Sequence, residues 1–166
     1  MGWVARTLLW LFVINPGIAF GAGLYEARVV FPQWLVYSSG TGYSWDAEAA
    51  RRANTGLRFW VYVTTVPLTV IGLANCFAAW RAPIVLRRWW ITAAGISLAE
   101  RIVTLWYFVP TMVQLTNHAA LPKAQAAELA LHWGQLNYLR HLMVFTAWLA
   151  ALKAFSIYGR NEARAS

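Results

Sequence analysis

Trp89-Trp-Ile-Thr-Ala-Ala-Gly-Ile-Ser-Leu-Ala-Glu-Arg-Ile-Val-Thr-Leu-Trp-Tyr-Phe-Val-Pro-Thr-Met-Val113 decides the class of this chain. About 20 mainly apolar residues of helix cross the ~30 Å hydrocarbon layer of a bilayer, and this stretch is long enough. Glu100 and Arg101 nevertheless stand near its middle. An ionisable side chain at that depth costs about 3 kcal/mol or more, so it is kept where it is paired, hydrated or used. Three other apolar stretches have similar length, at about 7–26, 59–80 and 133–158, and the last carries Arg140 and His141 two turns in. The expected fold is an all-α polytopic membrane protein, a four-transmembrane-helix bundle forming one domain over 1–166.

Composition agrees. Hydrophobic residues are 60% and charged residues 12% of the chain, against about 45–50% and 25% in soluble domains. Trp3, Trp10, Trp34, Trp45, Trp60, Trp80, Trp89, Trp90 and Trp133 fall near predicted span ends, where indole rings favour the membrane interface. Arg6, the run Leu8 to Ile14 and the small residues Ala19 to Gly23 imitate a signal peptide; the segment is read as a retained span. The net charge of +8 comes mostly from bases flanking spans, which are topology determinants rather than a nucleic-acid surface. Arg6, Arg81, Arg87, Arg88, Lys153, Arg160 and Arg164 fall on one side, and Arg51, Arg52, Arg58 and Lys123 on the other. The expected location is the bacterial inner membrane with both termini cytoplasmic. Four spans bury little among themselves, so a homo-oligomer is compatible with the chain.

The connections differ. Arg81 to Arg88 is a tight basic turn broken by Pro83. Tyr37-Ser-Ser-Gly-Thr-Gly-Tyr43 is turn-rich, and Asp46 to Asn54 reads as a short outer helix with Ser44 or Asp46 as its cap. Pro122 followed by Lys-Ala-Gln-Ala-Ala-Glu128 predicts a helical lead-in to the fourth span.

Helical spacing sorts the polar residues. Ser97, Glu100, Arg101 and Thr104, extended by Tyr107 or Phe108, form one face of the third span. Trp133, Asn137, Arg140 and Val144 share a face of the fourth, with His141 beside it. Asn15, Ala22 and Glu26 lie on one stripe of the first, and Arg58, Tyr62, Thr65 and Thr69 on one stripe of the second. At ~1.5 Å per residue these groups come to one depth in the outer half of the bundle. A pocket lined by Glu26, Arg58, Glu100, Arg101, Thr104, Tyr107, Asn137, Arg140 and His141, open outward or sideways to the outer leaflet, is therefore expected. Glu26 and Glu100 balance Arg101 and Arg140. Buried polar groups also serve as helix contacts, at about 0.6 kcal/mol for each interhelical hydrogen bond.

Metal or haem chemistry needs imidazoles on facing surfaces. His132 and His141, nine residues apart, point to opposite faces of one helix, and His118 belongs to a loop. A site using His141 with Glu100 or Glu26 is the remaining metal or haem arrangement, so no metal ligands are assigned and no cofactor is identified. Cys76, the single cysteine, and Asn75 are read as packing residues. No nucleophile constellation or phosphate-binding glycine loop is present.

Gly21-Ala-Gly-Leu-Tyr-Glu-Ala-Arg-Val-Val-Phe-Pro-Gln-Trp34, Arg58-Phe-Trp60, Arg101-Ile-Val-Thr-Leu-Trp-Tyr-Phe-Val-Pro-Thr-Met112 and Trp133-Gly-Gln-Leu-Asn-Tyr-Leu-Arg140 resemble the DUF1772 (anthrone oxygenase-like) family of small four-span membrane proteins. The resemblance covers the whole chain in order. It implies oxidation of an anthrone-like substrate without an assigned cofactor. The residues themselves leave two classes open: a membrane oxidoreductase, oxygenase or isomerase acting on a small hydrophobic, aromatic or phenolic molecule, and a non-enzymatic transporter, hydrophobe binder or accessory subunit. A haem-binding redox protein is the third. In the enzyme, Arg101 and Arg140 would stabilise an oxyanion, Glu26, Glu100 or His141 would take a proton, and Arg58, Thr104, Tyr107, Trp106, Trp133 and Asn137 would line the substrate.

Overall fold

The computed structural model describes residues 3–117 and 121–163, with side chains up to residue 160. Four helical spans, Trp3–Gln33, Gly56–Trp80, Ile84–Thr116 and Lys123–Arg160, are each long and apolar enough to cross a membrane. They run alternately up and down. The first span packs on the second and fourth, and the third packs on the same two, so the spans form a closed ring in chain order.

Only the fourth span is one continuous α-helix. The first is α1 (Trp3–Tyr25), followed by a π-helical turn Glu26–Val30 and a 3-10 turn Phe31–Gln33. After a hairpin, β1 (Leu35–Ser38) with β2 (Gly42–Trp45), comes the short helix α2 (Ala47–Ala53). The second span opens as a π-helix, Gly56–Thr65, and continues as α3 (Val66–Trp80). The third is α4 (Ile84–Val103), a π-turn Thr104–Phe108, and α5 (Val109–Thr116); the fourth is α6 (Lys123–Ala163).

Proline explains where the helices loosen. Pro32, Pro67 and Pro110 each stand two residues past a π segment, at the start of the next helical piece. A proline has no N–H and its ring presses on the carbonyl four residues back, so the preceding turn widens. The freed carbonyl needs another donor. Val63, four residues before Pro67, receives it from Asn15 Nδ2 at 2.9 Å.

The core has three layers. At the terminal end Leu9, Leu86, Trp90 and Tyr158 pack together. Asn75 there is fully buried and bonded: it donates to the carbonyls of Leu8 (3.2 Å) and Ile71 (2.8 Å) and accepts from Trp90 Nε1 at 2.7 Å. The middle layer is Phe12, Leu68 and the alanines Ala93, Ala94, Ala150 and Ala151, with Cys76 packed against it. Small residues let the backbones approach, as bilayer helices require. The third layer is aromatic, with Leu35, Phe108, Leu115 and Trp133. Phe77, Trp80 and Trp106 are more than two-thirds exposed on the outside of the ring, as lipid-facing side chains are.

The turn-rich segment is the tip of a hairpin, whose two strands the sequence reading did not anticipate. Leu35 pairs with Trp45 and Tyr37 with Tyr43, and the two tyrosine rings meet edge-on at 5.1 Å. The turn-rich reading holds at Ser39, Gly40 and Thr41, which close the hairpin, and the aromatic pair across it stabilises the strands on either side. Trp45 anchors the hairpin to the third span by donating Nε1 to the Leu115 carbonyl at 2.8 Å. The short helix expected over Asp46 to Asn54 is present as α2. Asp46 caps it by accepting from the Ala49 amide at 2.8 Å, and Asn54 ends it in the left-handed conformation at φ 47°. Asp46→Ala should cost about 1 kcal/mol locally. Amide exchange of α2 is then expected to accelerate about fivefold, read by mass spectrometry in detergent.

Candidate functional site

Between the alanine layer and the aromatic layer lies a buried polar cluster. Its centre is Glu100, which has no exposed surface. Glu100 pairs with the neighbouring Arg101 through one carboxylate oxygen. The other oxygen accepts from Thr104 Oγ1, one turn further on, at 2.8 Å. Arg140 Nε reaches that oxygen from α6 at 3.9 Å. This last separation exceeds hydrogen-bond range, so Arg140 is held by charge and keeps N–H groups for another acceptor.

Aromatic faces hold Arg140 as well. Its guanidinium lies 4.9 Å from the Phe108 ring centre and 5.6 Å from that of Trp60. Such contacts strengthen when water is excluded, and the Arg140 side chain is only 10% exposed. Arg101 reaches the second span, donating to Thr65 Oγ1 at 3.4 Å. Glu26 is buried in the π-turn of the first span and accepts from Thr55 Oγ1 at 2.7 Å. Two acids and two bases from three spans thus balance within one level of the bundle. The π-turns of the first and third spans begin at Glu26 and at Thr104, and that of the second supplies Trp60, Thr64 and Thr65. Single π-turns inside helices are frequent at functional sites.

Beside the charges sits His141, 6% exposed, with neither ring nitrogen hydrogen-bonded. The imidazole edge lies against Gly23 of α1, where a Cβ would overlap Nε2 and Cδ2. Asn137, one turn earlier, is equally buried and its Oδ1 has no partner. Ser97 Oγ and Asn15 Oδ1 are in the same condition. Unpaired buried polar atoms cost about 1–3 kcal/mol each. The cluster therefore combines balanced charges with unpaired neutral groups.

Spacing placed Glu26, Glu100, Arg101, Thr104, Asn137, Arg140 and His141 at one depth, and the structure brings them there. Three expected site residues and Trp106 stand apart. Arg58 is exposed at the start of the π-helix, and Tyr62 on the same stripe is 72% exposed. A π-helix takes more residues per turn, so a stripe drawn back from Thr65 at the α-helical period leaves the core; Thr65 faces inward as expected, and Trp60 and Thr64 join it in place of Arg58 and Tyr62. Tyr107 is half-buried, edge-on to Phe108 at 5.2 Å. Trp133 stacks on Phe31 at 5.4 Å and donates Nε1 to the Phe108 carbonyl at 3.1 Å, one ring removed from Arg140. Trp106, expected as an aromatic wall, is 82% exposed and faces outward.

Two cavities stand away from Glu100. A cavity of about 300 Å³ lies beneath α2, between Trp45, Asp46, Leu115 and Lys123. A second, of about 240 Å³, opens between the first span and α6. Of the candidate site residues, Asn137 alone lines either one.

His132 is exposed and His141 buried, as their nine-residue separation requires, and His118 falls outside the described residues. Among the described residues no three of His, Cys, Asp and Glu converge as a metal site. Comparison with protein-family models, curated proteins and solved structures finds no match for the chain.

Proposed function

We propose that the chain is a membrane enzyme of the anthrone oxygenase-like kind, removing a proton from a small hydrophobic phenol or carbon acid dissolved in the bilayer. One observation carries this reading: a charge-balanced Glu–Arg cluster lies at bilayer depth beside a buried histidine with two unused nitrogens. His141 accepts the proton. The N–H groups that Arg140 keeps free stabilise the oxyanion that forms, acting in a water-poor site where such donors are most effective. Glu100 holds Arg140 and Arg101 in place rather than reacting, since both of its oxygens are engaged. The resemblance to the anthrone oxygenase-like family adds dioxygen as the second substrate and supports the same class. The excess of bases on the terminal side supports cytoplasmic termini in a bacterial inner membrane, which puts the cluster in the outer half.

A carrier or accessory subunit is the second reading, favoured by the complete burial of Glu100 away from both cavities. Anthrone given to the protein in nanodiscs under air separates the two. The enzyme is expected to consume oxygen and form anthraquinone well above the rate of heat-inactivated protein. Equal rates would overturn the enzymatic reading. An absorption spectrum of the same sample distinguishes haem or flavin chemistry from a cofactor-free reaction.

A further inference from the structure

The two ends of the bundle carry charge differently. On the hairpin side Arg51 Nη2 lies 2.8 Å and Arg52 Nη1 3.9 Å from the Glu48 carboxylate, and Asp46 and Glu128 stand at the same end. At the terminal end the bases are Arg6, Arg81, Arg87, Arg88, Lys153 and Arg160. Among the described side chains no carboxylate accompanies them; Glu162 falls outside that set. Bases at a bilayer surface attract anionic lipid in general. The connection between the second and third spans goes further, because it gathers three arginines.

Arg81, Ala82 and Pro83 are the whole turn between α3 and α4, tightened by the Ala82 amide donating to the Ala79 carbonyl at 3.0 Å. Arg87, half-buried, reaches back across the turn and donates Nη1 to the Trp80 carbonyl at 3.4 Å. Its guanidinium thus sits at the peptide bond joining Trp80 to Arg81, with four of its five N–H groups left over. Arg81 and Arg88 are exposed, and neither has a carboxylate in ion-pair reach among the described residues. Below them the outer surface is apolar. Phe77 and Trp80, one turn apart on α3, are exposed, as are Val85 and Trp89 on α4. Cations at the end of an apolar face, with indoles at headgroup level, match the two halves of a phospholipid.

We propose that this turn binds an anionic phospholipid of the leaflet on the terminal side, its phosphodiester held by Arg81, Arg87 and Arg88 and its acyl chains along Phe77, Trp80 and Trp89. Headgroup charge decides the class. A choline or ethanolamine headgroup carries an ammonium, and no described carboxylate stands at the turn to receive it. A glycerol headgroup brings hydroxyls alone and leaves the phosphate charge to the arginines. A guanidinium takes phosphate oxygens two at a time, so the turn recognises the headgroup by geometry as well as by charge. Binding here is independent of the chemistry at Glu100 and His141.

Native mass spectrometry of the detergent-purified chain, titrated with phosphatidylglycerol or phosphatidylcholine, reads the first bound lipid. Each arginine near the headgroup contributes about fivefold in affinity. Phosphatidylglycerol is therefore expected to bind about tenfold more tightly than phosphatidylcholine. Arg81→Gln with Arg88→Gln should weaken it about 25-fold and bring it level with phosphatidylcholine. Arg51→Gln with Arg52→Gln removes the same net charge from α2 at the opposite end, and should leave affinity within about twofold. All four positions are exposed, so both variants should melt with the parent. Glycerol 3-phosphate, which lacks acyl chains, should not displace the lipid at equal concentration. Full displacement would assign the turn to a water-soluble anion and overturn the lipid. Equal affinity for the two lipids, unchanged binding by the Arg81 and Arg88 variant, or equal losses in the two double variants would overturn the site.

Discussion

Glu100→Gln is expected to lower the stability of the protein by about 3–5 kcal/mol, because it strands buried guanidinium groups without their counter-charge. Arg101 loses its ion pair and Arg140 loses the nearer of the two acids that balance it. Neither can turn to water: the Arg101 side chain is 5% and the Arg140 side chain 10% exposed. Glu128→Gln, on the exposed start of α6, should stay within about 0.5 kcal/mol of the parent. Thermal melting in detergent measures both. The double variant Glu100→Gln with Arg101→Gln should recover part of the loss, since residues in one ion-pair network couple by about 0.5–3 kcal/mol. Equal melting temperatures for Glu100→Gln and Glu128→Gln would mean that the cluster does not hold the bundle together.

How far the sequence reaches is clearest at the residues on either side of a π-turn. Ser97, Glu100, Arg101 and Thr104 lie on α4 or at its end, so a 3.6-residue period places them correctly. Trp133, Asn137, Arg140 and Val144 lie on an unbroken helix, and Trp133, Asn137 and Val144 are buried with the Arg140 side chain nearly so. The second span begins in ten π-helical residues, and there the same arithmetic sends Arg58 and Tyr62 inward when they face out. The sign of that failure was available in Pro67, as it was in Pro32 and Pro110, because a proline within a span can open the preceding turn, although Pro16 sits inside α1 without doing so. The width of that opening depends on which neighbour satisfies the freed carbonyl. For Val63 the neighbour is Asn15, 48 positions away in sequence, and local spacing carries no information about it.

The same limit explains the pocket. Depth along a helix follows from counting residues, so the level of Glu26, Glu100 and Arg140 is legible. Whether the space between them is open depends on rings from other spans. Trp60 and Phe108 close over Arg140, whereas Gly23 and Gly134 make room along the first span and α6 for His141 and Phe31. A glycine in an apolar helix reads only as a small residue until its neighbour is known.

His141→Leu is expected to move activity and stability in opposite directions. The leucine side chain fills much of the space of the imidazole against Gly23 and removes two buried nitrogens that have no hydrogen-bond partner. Unpaired buried groups of this kind are destabilising, and replacing them with apolar atoms is neutral or stabilising. The melting temperature should therefore hold or rise, unlike that of Glu100→Gln. Turnover should fall by about 10²–10⁴-fold if His141 takes the proton, the range typical of a positioned general base. A structural histidine would show the reverse pattern, with stability lost and turnover kept. Oxygen uptake and thermal melting on the same nanodisc preparation distinguish the two outcomes, and a variant that keeps full turnover would remove His141 from the chemistry.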